Sequence, residues 1–211
     1  MSSAGSPINT TPGEPQRWTR NRMKESTFVD VFESIAKEVM GDNAVVRRKA
    51  NLYYELSLNR NLELATPRTK KPKRGHSAFQ TDICIFELVD DIEFPRVVIE
   101  FKKGITTHDI LTYSAKAGMH KKIYPCLRYG ILVSEEKSIP SRFFVHNENL
   151  DFFIAAQAYK NESQIRPFAK DLIKKELQVS RILEQIHFKE RKVDYYCRDV
   201  IFRNFGKDQK P

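Results

Sequence analysis

The stretch RVVIEFKKG, residues 96–104, constrains the chain more than any other. Val97, Ile99 and Phe101 alternate with Val98, Glu100 and Lys102, which is the period of a β-strand, and both faces begin apolar. A strand apolar on both faces belongs in the middle of a sheet with cover on each side. This one also carries a carboxylate and an ammonium two residues apart on a single face. A central strand that ends in charge needs a reason for it.

The flanking sequence supplies the layers. Phe28, Val31, Phe32, Ile35, Ala36 and Val39 recur at helical spacing and predict a helix over 24–41, with Ser26 or Thr27 to cap it and Gly41 just past its end. Strands are expected at 51–58, 81–88, 95–103, 127–134 and 141–146. Helices are expected at 107–124, 149–159 and from Gln164 to His187. The 107–124 helix has Thr106 and Asp109 at capping-box spacing and Pro125 to stop it. The strand-helix-strand unit from 95 to 134 predicts a right-handed parallel crossover. The strands at 81–88 and 95–103, joined by a short acidic loop, predict an antiparallel hairpin. The expected fold class is therefore α/β, a mixed central sheet flanked by helices with a C-terminal helical extension. The first 16 residues, rich in Ser, Pro, Thr and Gly, are expected to be a disordered tail. No interior linker divides residues 17–211, so a single domain is expected.

The hairpin brings charges together. With its turn centred at Asp91, antiparallel partners have numbers summing to 182, and Asp82 falls opposite Glu100. Opposed residues share a face with their side chains close, and Lys102 points the same way. Two opposed carboxylates repel each other. A divalent cation resolves the repulsion, and carboxylate oxygens with water suit Mg²⁺. Such a site can activate water and stabilise a leaving oxygen in phosphodiester hydrolysis, with a neighbouring lysine to offset developing charge.

Charge and composition narrow the partner. Lys and Arg total 36 against 27 acidic residues, a net charge of +9 and a pI near 9.4, which favours an anionic partner. The longest apolar runs, such as FFIAA at 152–156, are too short to span a bilayer. No basic amphipathic anchor helix stands out, so nucleic acid is expected rather than membrane. Cys84, Cys126 and Cys197 show no CxxC spacing, and the N-terminus lacks a secretory n-region and h-region. Free thiols in a reducing cytosol are expected, not a cysteine metal site.

TDICIFEL and PRVVIEFKKG together resemble the core of the PD-(D/E)XK nucleases, the restriction-endonuclease-like superfamily. In that family an aspartate on one strand and an acidic-x-lysine on the next form the active site. The resemblance covers about residues 24–146 and carries over to Asp82, Glu100 and Lys102 as catalytic residues, with Asp82 and Glu100 as metal ligands. Thr81 stands where the namesake proline would be, a position that varies in the family. The resemblance implies a restriction-endonuclease-like fold and a Mg²⁺-dependent endonuclease for double-stranded DNA, with Mn²⁺ able to substitute. A small type II restriction enzyme of a prokaryotic cytoplasm is the form that fits best. Many such nucleases add an acidic residue from the first helix, which implies Glu33, acting indirectly on the metal, with Glu38 second. Gln80, beside Asp82, is a weaker candidate. Tyr113 and Lys116 lie on the helix where family members often touch DNA.

The loop TPRTKKPKRGHSAFQ carries Arg68, Lys70, Lys71, Lys73 and Arg74, charges that suit phosphate contact without sequence readout. His108 and His120 have no metal-partner spacing and are expected at the surface. Size and a single catalytic constellation suggest a homodimer with one site per strand. Two other readings stand beside restriction: a structure-specific repair or recombination nuclease, and a non-catalytic DNA-binding module on the same fold.

Overall fold

The structure, a computed structural model, describes residues 25–65, 72–159 and 161–196. The tail at 1–16, Arg68, Lys70, Lys71 and Cys197 lie outside these residues. Helix α1 runs Glu25–Met40, so Ser26 and Thr27 lie inside its first turn and do not cap it. Gly41 follows at φ +57°, the left-handed conformation that ends helices and favours glycine.

A strand that the periodicity did not signal comes next. β1, Ala44–Arg48, pairs antiparallel with β4, Ile83–Val89. The strand expected over 51–58 shrinks to β2, Asn51–Tyr53, which pairs with β3, Ala78–Gln80, in a separate two-stranded sheet. β4 turns into β5, Ile92–Lys102, as an antiparallel hairpin. α2, Thr107–Ile123, then leads to β6, Arg128–Val133, which lies parallel to β5. The five-stranded sheet has the order β1-β4-β5-β6-β7, and β5 is central.

Two elements after β6 exchange the types expected of them. Ser141–His146 is a helix, α3, and Phe152–Ala155 is a strand, β7, parallel to β6. Short apolar runs do not separate strand from helix by pattern alone. In α3 only Phe143 is buried, while Phe144 and Val145 are exposed. In β7 the free edge of β6 outweighs the helical preference of the alanines that follow. β7 fits because Gly130 makes room: a Cβ there would lie 2.1 Å from the Phe152 ring.

The sheet separates two cores. Ile83, Ile85, Val97, Ile99 and Phe101 pack with Phe32 and Ile35 of α1 and with Ile165, Ala169 and Ile173 of α4, Glu162–His187. The C-terminal helix is thus part of the main core. Cys84, Val98, Tyr129, Ile131 and Val133 pack on the opposite face with Ile110 and Ala117 of α2 and Phe143 of α3. Among the described residues no helix is long and apolar enough to cross a membrane.

The hairpin register has an unexpected origin. The tip is Asp90-Asp91, both at positive φ, the two-residue turn that suits the twist of paired strands. Val89 faces Ile92 and Phe86 faces Pro95, yet Ile85 faces Val97. Arg96 is the extra residue of a β-bulge. The bulge accommodates Pro95, which has no N–H to give to the ladder. It also sets the pairs beyond it to the register inferred from the sequence. Ile83 faces Ile99, and the next pair outward is Asp82 with Glu100.

Candidate active site

Asp82 sits at the corner where the chain enters β4. Thr81 before it is buried and tied twice to Ala50: its N–H and its hydroxyl donate to the Ala50 carbonyl at 2.8 and 3.0 Å. The Asp82 side chain turns onto β5 and its Oδ2 accepts the Phe101 N–H at 2.8 Å. One carboxylate oxygen is therefore fixed by backbone beside Glu100.

Glu100 is 2% exposed. Alternation places it on the α2 face with Val98. Its Oε1 accepts from Lys116 Nζ at 2.7 Å and from the Tyr129 hydroxyl. Lys116 Nζ also donates to the Gln80 carbonyl at 2.6 Å. Burial pushes the Glu100 carboxyl up to about 7; the Lys116 charge opposes this, and the Asp82 charge adds to it. Desolvation wins because a buried carboxylate loses its hydration. The same burial, with the Glu100 charge beside it, holds the Tyr129 phenol well above its ordinary value.

Lys102 lies on the same face at the open end of β5. Its ammonium is 5.4 Å from the centre of the Tyr113 ring, and Lys116 Nζ is 5.8 Å from it. Such distances suit a cation over an aromatic face. α2 delivers Tyr113 and Lys116 together because they are three residues apart. The helix is anchored by its capping box, in which the Thr106 hydroxyl accepts the Asp109 N–H and Asp109 Oδ2 accepts the Thr106 N–H.

Several expected residues have other places. Lys116, expected at DNA, is half-buried in the site itself. Gln80 contributes its carbonyl. His120, expected at the surface, is fully buried: its Nδ1 lies 2.9 Å from the Tyr53 carbonyl and its ring stacks on Tyr129 at 5.8 Å. Burial drops its pKa to about 4, so the imidazole is neutral. His108 is exposed, as expected. Glu33 pairs with Lys37 at 2.7 Å and with Arg48. The Lys37 hydrogen bond leads in holding its carboxyl low. Glu38 pairs with Lys170 at 2.6 Å and Arg166 at 3.1 Å, joining α1 to α4. α1 packs on the sheet face opposite Glu100, so the ion pairs of Glu33 and Glu38 serve that side. Lys73 and Arg74 are exposed. Cys84 and Cys126 are buried free thiols, both pushed up chiefly by burial.

Tyr129 and His120 are the site residues that pattern reading missed. Both carried a signal. His120 is seven residues after Tyr113 and four after Lys116, on one helical face. Tyr129 alternates with Ile131 and Val133 on the face of Glu100.

The chain matches no protein-family model and no curated protein.

Among the described residues no group of three or more His, Cys, Asp or Glu side chains could hold a metal ion. A cation here would rest on Asp82 and Glu100. That pair fits a hard, largely hydrated ion, which takes one or two carboxylates and keeps several waters. The hydrogen bonds of Glu100 fall on Oε1 and that of Asp82 on Oδ2. Each carboxylate thus keeps a second oxygen for a further partner.

Proposed function

We propose that the chain is a divalent-cation-dependent endonuclease that hydrolyses phosphodiester bonds of double-stranded DNA, with Asp82, Glu100 and Lys102 as its active site. A type II restriction enzyme, acting as a homodimer on a short specific site, is the form we favour. The observation that carries this reading is the opposition of Asp82 and Glu100 at the open end of a central strand, with Lys102 beside them. A purely structural role gives no reason to sink Glu100 next to a second carboxylate, because both burial and Asp82 disfavour its charge. The resemblance of residues 81–104 to the restriction-endonuclease-like core supports the same reading. The net charge of +9 supports a polyanionic partner.

Asp82 and Glu100 would hold Mg²⁺, which when bound supplies Lewis-acid polarisation of the phosphoryl oxygen and a more acidic water. The chain's own groups do the rest. The Phe101 N–H fixes Asp82 and the Tyr129 hydroxyl fixes Glu100, with Lys116 holding Glu100 as well in the cation-free site. Lys102 offers its ammonium where negative charge grows on the phosphoryl group, and such stabilisation is commonly the largest catalytic contribution. Tyr113 steers that ammonium.

A non-catalytic DNA-binding module is the second reading. It is favoured by one observation: Lys116 and Tyr129 already satisfy Glu100 Oε1 without any cation. Digestion of a sequenced plasmid separates the two. Cleavage with Mg²⁺ or Mn²⁺, none in EDTA, and binding with little cleavage in Ca²⁺ are expected. Asp82→Asn, Glu100→Gln and Lys102→Met should each remain folded, bind DNA and fail to cut. A discrete fragment set marks restriction; branch-specific or nonspecific products mark a repair or recombination nuclease. Full activity in EDTA, or normal cutting by all three variants, overturns the nuclease assignment.

A further inference from the structure

The site contains a second cation that the acidic-x-lysine pattern does not include. Lys116 comes from α2, 16 residues after Glu100. Its side chain is 16% exposed, and its ammonium bridges Glu100 Oε1 and the Gln80 carbonyl at 2.7 and 2.6 Å. Lys102, by contrast, has its ammonium over Tyr113, and the carboxylate that feels its charge is Asp109 at the start of α2 rather than Glu100. The two lysines are thus employed differently. With Lys116 counted and Glu100 ionised, two carboxylates face two ammoniums, and the formal charges cancel before any ion arrives.

We propose that Lys116 is the intramolecular counter-ion of this site: its ammonium holds Glu100 in place, and a divalent cation seated on the second oxygens of Asp82 and Glu100 drives it from Oε1 by charge repulsion. Lys116 is therefore a positioning residue that sets cation affinity, and this rests on the cation site assigned above. Three features support it. Lys116 reaches the acid through a short charge-assisted bond, roughly twice as strong as a neutral one. A divalent ion and an ammonium cannot share one carboxylate without mutual repulsion. The Gln80 carbonyl and the Tyr113 ring, both already in contact with Lys116, can retain the ammonium once it is released.

A neutral cluster attracts a free divalent ion weakly, so binding should strengthen when an anionic phosphodiester is present. Lys116 thereby couples cation and nucleic acid, and the coupling is reciprocal.

The decisive measurement needs no variant. Lysine acylation by a water-soluble ester is followed by peptide mass spectrometry at rising Mn²⁺. In EDTA, Lys116 should react at least about ten-fold more slowly than Lys103, whose side chain is 57% exposed. Mn²⁺ should accelerate Lys116 and leave Lys103 unchanged, with the midpoint matching Mn²⁺ binding read by electron paramagnetic resonance of the free ion. Lys116→Met, measured at pH 8.5 to weaken proton competition, should bind Mn²⁺ about ten-fold more tightly, the size expected for removing one charged hydrogen bond. Lys116→Arg, which keeps the charge, should stay near the parent affinity. Mn²⁺ binding that Glu100→Gln abolishes, with Lys116 acylation unmoved by the ion, overturns the counter-ion and leaves the cation site standing. No Mn²⁺ bound at 10 mM, about the ceiling for a weak millimolar site, overturns both.

Discussion

Glu100→Gln separates a charge kept for chemistry from a charge kept for stability. In the folded, cation-free protein the Glu100 carboxyl titrates at about 7 against 4.5 when unperturbed. The folded state therefore holds its proton more tightly than the unfolded state between those values. The associated stability is fully present below pH 4.5 and is lost as pH rises through 7. Moving a buried carboxyl that far makes its ionised form cost about 3 kcal/mol in the folded state. Glutamine cannot ionise, and its carbonyl can still accept from Lys116 and Tyr129. Relative to wild type, the variant should thus gain about 3 kcal/mol between pH 4.5 and 8, or about 6–12 °C in melting temperature for a chain of this length. His120 titrates in the opposite sense: its pKa of about 4, against 6.5, removes stability as pH falls from 6.5 through 4. It is present in both proteins and cancels in the difference. Thermal unfolding in EDTA at half-unit pH steps measures the effect. Parallel curves, or a wild type that gains on the variant with rising pH, would refute the reasoning. Mg²⁺ should raise the melting temperature of wild type alone.

Three further outcomes are expected. Gly130→Ala should destabilise the fold by about 1–3 kcal/mol, the cost of overpacking, because its Cβ would strike the Phe152 ring; urea unfolding of the single variant and of Gly130→Ala/Phe152→Ala should show most of the loss recovered in the double. Thr106→Ala should cost about 1 kcal/mol by removing the capping box of α2, read in the same assay. Neutralising Lys73 and Arg74 together should weaken DNA binding equally for all sequences and lower the salt slope by about 2, one per phosphate contact; an unchanged slope makes them solvated loop charges.

The hairpin was legible because its charges sit on alternating strands of opposite direction, and period and direction are sequence properties. The pairing of Asp82 with Glu100 was reached through a turn centred at Asp91. The turn lies between Asp90 and Asp91, and the bulge at Arg96 makes up the half-step. Nothing in the local pattern announced that bulge except Pro95, which sits badly in an unbroken central strand. The capping box of α2 was legible because it is written in two residues. β7 was not, because Phe152–Ala155 becomes a strand only where β6 offers an edge and Gly130 a gap. Lys116 could be placed on its helix but not beside Glu100 and Gln80, since those partners are 16 and 36 residues away in sequence. His120 lacked a metal-like spacing, and its burial depends on Tyr53 and Tyr129 arriving from two other strands.

The bulge gives the C-terminal helix an influence over the opposite face of the sheet. The hairpin consists of two ladders in series, and Arg96 is the slip joint between them. Were it to slide flat, Asp82 would come to rest against Ile99, and the two carboxylates would part. What pins the joint is ionic: buried Arg96 reaches Glu87 at 2.7 Å and Glu184 of α4 at 2.6 Å, and Arg181 of α4 holds Glu87 from the other side at 2.6 Å. Alignment of the two carboxylates is thereby guarded by a helix on the far side of the sheet. Lineages of this chain could vary the hairpin tip in length without disturbing Asp82 and Glu100, but could not shed the last turns of α4 with the same impunity.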